Sequence, residues 1–196
     1  LSMLFMVSIL PAIPVFASYE GSCGEGVYYS LDQSTGTLTI SGNGKMKNYY
    51  NETPWRFDRS LIKSVTIENG VILIGRCAFN GCSGLTSVTI ENGVTSIGEY
   101  AFYGCSGLIG QLTIPSSVEK IGAYAFCDCS GLTSVTIPSS VTEIGRNAFC
   151  GCSRLTGSLT IPSSVNEVGF EAFDDCMGLE AINVDESNTN YKSIGG

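Results

Sequence analysis

The sequence predicts an α/β solenoid. About five short units stack in a row, with a parallel sheet on one side, short helical turns on the other and a β-hairpin cap at the N-terminal end. Three observations predict this. A strand-like triplet returns at a near-constant step. Glycine, phenylalanine and cysteine return in register with it. The segment before the first copy does not share the pattern.

The triplet is Val65-Thr66-Ile67. It returns as Val88-Thr89-Ile90, Leu112-Thr113-Ile114, Val135-Thr136-Ile137 and Leu159-Thr160-Ile161, with a looser last copy at Ile182-Asn183-Val184. The step alternates between 23 and 24 residues. In one unit, Leu85, Val88 and Ile90 give the spacing L-x-x-L-x-L, followed by Val94, Ile97, Gly98, Ala101, Phe102 and Cys105. The alternation at residues 88–90 has the two-residue period of a strand with one buried face. Gly98 is expected to take a positive φ and turn the chain away from the sheet. Ala101, Phe102 and Cys105 are spaced as one short helical turn packing inward.

One unit cannot bury its apolar face alone, but stacked neighbours bury it jointly. Equivalent residues then form ladders with a rise of about 4.8 Å. The phenylalanine ladder is Phe79, Phe102, Phe126, Phe149 and Phe173. The glycine ladder is Gly75, Gly98, Gly122, Gly145 and Gly169, and the cysteine ladder Cys82, Cys105, Cys129, Cys152 and Cys176.

These units carry a resemblance. The runs Leu132-Thr-Ser-Val-Thr-Ile-Pro-Ser-Ser-Val-Thr-Glu-Ile-Gly-Arg-Asn-Ala-Phe149 and Phe102-Tyr-Gly-Cys-Ser-Gly-Leu108 resemble the BspA-like subfamily of leucine-rich repeats, over residues 64–181. The resemblance implies a surface or secreted protein of a bacterium or protist, of a kind often tied to adhesion to host matrix or to other cells.

The ends differ from the repeats. Residues 1–17 are apolar and uncharged save for small polar residues, contain Pro11 and Pro14, and close on Val15-Phe16-Ala17. They read as a secretory signal cleaved after Ala17, too short and proline-broken for a transmembrane helix. No transmembrane segment is then expected in the mature chain. Residues 18–63 read as the β cap, with strand-like runs at 27–31 and 37–40 around a turn, and Trp55, Phe57 and Ile62 as apolar cover. Residues 182–196 read as an incomplete terminal repeat of a truncated chain.

Composition narrows the function. The chain has 10 Lys and Arg against 18 Asp and Glu, so no basic footprint for nucleic acid exists. It has no histidine, which removes the usual base of Ser and Cys nucleophiles and the commonest zinc ligand. No catalytic residue, metal ligand or cofactor is assigned. Cys127-Asp-Cys129 and Cys150-Gly-Cys152 invite a zinc reading. Cys129 and Cys152, however, belong to the inward ladder, where cysteine packs as a small apolar residue. Cys127 and Cys150 share an outward position with Asn80, Tyr103 and Asp174. Stacked neighbours at about 5 Å fit the Cα range of a bridge, about 4.4–6.8 Å, which makes Cys127–Cys150 the candidate disulfide. Cys23 and Cys77 have no assigned role.

The outward strand face carries Thr66, Thr89, Thr113, Thr136 and Thr160. Beside it run Ser64, Ser87, Ser134 and Ser158, with Gln111 in the remaining place. Three readings stand: threonine as a solvent-tolerant strand former, a binding face, since solenoids use extended sheet surfaces for partners, or a regular threonine array similar to that of ice-binding solenoids. The binding residues taken forward are Thr66, Thr89, Thr113, Thr136, Thr160, Ser87, Ser134 and Ser158. Tyr100, Tyr103, Tyr124 and Phe170 read as covers for gaps between turns or as contact points. Glu119, Glu143, Glu167 and Lys120 are expected in solvated turns, and Asn51-Glu52-Thr53 is a glycosylation sequon. The expected function is binding of an extracellular or host protein rather than catalysis. A structural spacer that displays another module is the alternative.

Overall fold

The computed structural model describes residues 18–50 and 52–193. The signal-like segment at 1–17 and Asn51 of the sequon lie outside the described residues.

The chain starts with an antiparallel hairpin, β1 (Ser18–Asp32) and β2 (Thr37–Met46). Asp32 closes its turn by accepting hydrogen bonds from the Ser34 amide (2.8 Å) and from the Ser34 and Thr35 hydroxyls (2.6 and 3.0 Å). These bonds stabilise the ionised carboxyl and lower its pKa. Each unit then adds a strand to each of two parallel walls. The pairs are β3 (Ser64–Ile67) with β4 (Val71–Ile74), β5 (Ser87–Ile90) with β6 (Ser96–Ile97), and β7 (Gly110–Thr113) with β8 (Lys120–Ile121). They continue as β9 (Leu132–Thr136) with β10 (Glu143–Ile144) and β11 (Gly157–Ile161) with β12 (Glu167–Val168), and β13 (Leu179–Val184) ends the first wall.

The hairpin is more than a cover. Residues 37–40 of β2 pair in parallel with β3, and Gly44 and Lys45 pair with β4. The cap thus supplies the first rung of both walls. Trp55 and Ile62 are buried beneath it. Trp55 stacks on Phe79 at 5.7 Å between ring centroids and donates its Nε1 hydrogen to the Ala78 carbonyl. Phe57, expected as apolar cover, is instead 83% exposed, with the Arg56 guanidinium 4.4 Å from its ring centre.

The second wall is an addition to the expected single sheet. It runs β2–β4–β6–β8–β10–β12 in register, with Ile74, Ile97, Ile121 and Ile144 buried along it. Lys120, Glu143 and Glu167, expected in turns, are strand residues facing one another across this wall. Lys120 and Glu143 form an ion pair of 2.7 Å. At such exposure solvent screens the pair, and it adds little to stability.

The third wall has the expected single inward turn in each unit, but the turn is not α-helical. Among the described residues it contains no α-helix. Each unit has two residues four apart in the left-handed region: Cys77 and Gly81, Tyr100 and Gly104, Tyr124 and Asp128, Asn147 and Gly151, Glu171 and Asp175. A left-handed residue at each end leaves room for only one turn. Within the turn, N–H groups bond three residues back, as from Ala101 to Gly98 and from Cys105 to Phe102. The alternate N–H groups bond to the next unit: Tyr100 to Ala123, Phe102 to Ala125 and Gly104 to Cys127, at 2.8–2.9 Å. The third wall is therefore hydrogen-bonded along the stack, as the second wall is, whereas strand pairing in the first wall is interrupted between β5 and β7 and between β9 and β11.

The glycine ladder plays a different part from the one expected. Gly75, Gly98, Gly122, Gly145 and Gly169 do not have positive φ. A Cβ on Gly145 would lie 2.4 Å from the Ala123 nitrogen, and on Gly169 2.2 Å from the Arg146 nitrogen. These glycines let successive turns approach backbone to backbone at the corner. The alternating step of 23 and 24 residues has its own cause. The longer units contain Gly110 and Gly157, at φ 79° and 72°, where the pairing of the first wall slips by one residue. Each is a β-bulge with a left-handed glycine.

Candidate binding surface

The core fills the triangle between the walls. Phe79, Phe102, Phe126 and Phe149 are fully buried and stack with Phe173 at 5.0–5.5 Å between centroids. Cys82, Cys105, Cys129 and Cys152 are fully buried beside them. From Cys105 on, each ladder thiol donates to the phenylalanine carbonyl of the preceding turn at 3.2 Å: Cys105 to Phe79, Cys129 to Phe102, Cys152 to Phe126 and Cys176 to Phe149. The ladder thus satisfies a carbonyl at every step, a role beyond apolar filling. Burial pushes the Cys82 thiol up to about 12 and the Cys176 thiol up to about 11. It holds Cys105, Cys129 and Cys152 well above the ordinary range. These thiols stay protonated and unreactive.

Outside the first wall, the expected face is built by register. Thr39 pairs with Thr66 and Thr66 with Thr89; Thr113 pairs with Thr136, and Thr160 with Asn183. The neighbouring row runs Thr37, Ser64, Ser87, then Gln111, Ser134, then Ser158, Ala181. Thr89, Thr113, Thr136, Thr160, Ser87, Ser134 and Ser158 are exposed, and Thr66 is half-buried beside the cap. Alternation explains this: Val65, Leu112 and Leu159 between them point inward and are buried. The face also continues onto cap residues Thr37 and Thr39, which belong to β2 rather than to a repeat. A shallow depression of about 290 Å³ lies on it, between Thr136, Ser139, Ser158, Thr160, Pro162 and Asp185.

The aromatic residues of the third wall behave as gap covers over part of its length. Tyr100 and Tyr124 stack with their planes 2° apart at 4.7 Å, and Tyr103 meets Tyr100 edge-on. Tyr103 also hydrogen-bonds Asp128, whose charge raises the phenol's pKa. Phe170 is 69% exposed, 5.8 Å from the Arg146 guanidinium.

Cys127 and Cys150, expected as a bridge, are both free thiols here. They occupy adjacent turns tied by the bond from the Asp128 amide to the Cys150 carbonyl, 2.8 Å. Cys127 is buried rather than outward, and Cys150 is half-buried. Burial, with the Asp128 carboxylate and Cys150 beside it, pushes the Cys127 thiol up to about 12. Of the two cysteines without an expected role, Cys23 is buried in β1 and Cys77 is buried at a left-handed position of the third wall.

The BspA type leucine-rich-repeat region matches residues 55–180 in six copies. The chain belongs to this family. A leucine-rich repeat protein from Eubacterium ventriosum has a similar structure, with TM-score 0.78 and 32% identity over 91% of this chain and 47% of that one. Those of T. pallidum (TM-score 0.59, 27% identity, 79% and 66% covered) and Bacteroides ovatus (0.58, 32%, 81% and 40%) are also similar. The chain spans less than half the length of the Eubacterium ventriosum protein. No curated protein matches it. Among the described residues no helix is long and apolar enough to cross a membrane, a statement that concerns helices alone.

Proposed function

We propose that this BspA-type solenoid acts outside the cell as a non-enzymatic binding scaffold, holding an extracellular or host protein on the hydroxyl face of its first wall. The observation that carries the reading is the row of exposed hydroxyls at Thr89, Thr113, Thr136 and Thr160 with Ser87, Ser134 and Ser158 beside it, extended by the half-buried Thr66. It is uncharged and regular, and strand pairing joins its rungs in three blocks, β2–β3–β5, β7–β9 and β11–β13. A face of this kind suits a partner that spreads many weak contacts over several rungs. Export is supported by the signal-like segment and by the family. Adhesion to host matrix or to other cells is supported by the family alone. The non-enzymatic reading is supported by the family, by the absence of histidine from the sequence and by the shallowness of the face.

The experiment compares wild type with Thr113→Lys/Ser134→Lys/Thr136→Lys in capture of matrix and cell-surface proteins. These residues are exposed, so the fold should survive, as far-ultraviolet circular dichroism will show. The expected result is that a partner captured by wild type is lost, with affinity down at least tenfold. Equal capture by the triple variant would remove the face from the proposal. The spacer reading is favoured by the chain's 47% share of the Eubacterium ventriosum protein. A partner retained only by segments of the gene outside this chain would decide for it.

A further inference from the structure

We propose that Cys150, Asp174 and Asp175 form a binding site for a thiophilic divalent cation of the zinc class. The Cys150 sulfur and one carboxylate oxygen from each aspartate lie within 4.8 Å of one another. The stack creates this proximity. Cys150 and Asp174 hold equivalent places on adjacent turns, joined by the bond from the Gly151 amide to the Asp174 carbonyl, 2.9 Å. Asp175 follows at φ 54°, in the place taken by Gly81, Gly104 and Gly151 in other units. Consecutive side chains usually diverge, yet both carboxylates here reach the same thiol.

The donor set decides the class of ion. A thiolate with two carboxylates carries three negative charges and mixes one soft ligand with two hard ones. Zinc and cadmium accept such a set, whereas calcium and magnesium require oxygen throughout. Both aspartates are exposed and Cys150 is half-buried, so the ion can enter from solvent; its ligand distances would be about 2.0–2.3 Å. The ion pairs Arg76–Glu99 and Lys120–Glu143 engage neither aspartate. Without a cation the two carboxylates repel each other, and binding relieves that repulsion. Cys127 hydrogen-bonds Cys150 from the preceding turn, outside the ligand set. This site differs from a cysteine cluster drawn from the C-x-C spacing, because Cys129 and Cys152 face the core.

The site is independent of the hydroxyl face and is tested separately. The reduced chain is titrated with Cd²⁺, following the ultraviolet thiolate-to-metal charge-transfer band, and with Zn²⁺ against a chromophoric chelator. One equivalent of each is expected, with a band of one thiolate. Cys150→Ser should abolish the band, Asp174→Asn/Asp175→Asn should weaken affinity at least tenfold, and Cys127→Ser should keep the band. Alkylation of Cys150 in the unaltered chain, located by peptide mass, should be blocked by Zn²⁺ and not by Ca²⁺, which guards against a variant that misfolds. Oxidation of Cys127 with Cys150 should remove binding. Failure of the unaltered chain to take up one equivalent overturns the site, as does binding that survives Cys150→Ser, the aspartate pair or oxidation, or a band lost in Cys127→Ser.

Discussion

Replacing Gly145 by alanine should be far more damaging than replacing Gly110, although both are glycines of the same solenoid. At Gly145 the added Cβ would lie 2.4 Å from the Ala123 nitrogen and 2.6 Å from the Gly122 carbonyl carbon. Ordinary carbon contacts fall near 3.5–4.0 Å, so the overlap with backbone is about 1 Å and no rotamer relieves it. The turns must part at a corner held by the bond from the Gly145 amide to the Ile121 carbonyl, 2.8 Å, and by the pairing of Ile144 with Ile121. Losing one or two such bonds costs about 1 kcal/mol each, and the overpacking adds about 1–3 kcal/mol. The expected loss is about 2–5 kcal/mol. Gly110 has φ 79° and nothing within 4 Å of the new Cβ, so only the left-handed backbone is penalised, by roughly 1–2 kcal/mol. Urea titration followed by circular dichroism and Trp55 fluorescence measures both. Equal midpoints would refute the argument from close approach and return the ladder to a matter of φ.

Three further outcomes follow from the core. Phe126→Ala removes a fully buried ring stacked at 5.2 and 5.3 Å on its neighbours, and should cost about 3–5 kcal/mol in the same titration. Stability should fall on the alkaline side. The folded chain holds Cys82 up to about 12 and Cys176 up to about 11, from an ordinary 9.0. The unfolded chain therefore loses these protons first, and stability present below pH 9 declines as pH rises towards 11–12. The slope is about 1.4 kcal/mol per unit for each such thiol, and a flat urea midpoint from pH 8.5 to 10.5 would contradict it. In a native thiol assay Cys150, half-buried, should react well before Cys105, Cys129 and Cys152, which should label only at the rate of unfolding.

The repeat, its step and the inward ladders were legible because stacking converts periodicity in sequence directly into contact in space. Phe79 to Phe173 and Cys82 to Cys176 could be placed without any angle being known. What was not legible depended on backbone conformation. The motif Ala101-Phe102-x-x-Cys105 implied one inward turn, but not that Tyr100 and Gly104 in the left-handed region bracket it or that its alternate amides bond to the next unit. Gly81, Gly104 and Gly151, recurring just before the cysteine ladder, were the available signal, obscured by Asp128 and Asp175 in the same place. The second wall was hidden by strands of two residues, such as Ser96–Ile97, too short to show alternation. On the first wall, the exposed threonines followed from alternation, but their continuation onto Thr37 and Thr39 rests on parallel pairing between a cap strand and a repeat, which periodicity does not report. The grouping of Cys150 with Asp174 and Asp175 was hidden similarly, since it joins a ladder position to its off-ladder neighbour.

The division of labour among the walls follows from what each can tolerate. At the corners, Gly98, Gly122 and Gly145 admit no side chain, and inside, phenylalanine and cysteine are packed against copies of themselves. A change at any of these positions is felt by two neighbouring turns. The outward rows of the first wall and the outer rim of the third carry no such constraint, since their side chains meet solvent rather than the next turn's backbone. The third wall's rim uses that freedom to vary, as Asn80, Tyr103, Cys150 and Asp174 show at one position, where Cys127 alone is buried. The first wall keeps threonine at every repeat from Thr66 to Thr160. Strand propensity favours threonine over many polar residues, but only by about 1 kcal/mol across the scale, which leaves valine, tyrosine or isoleucine equally acceptable. Five threonines recurring on one face, where other strand formers would also fit, are the pattern on which the proposed binding face rests.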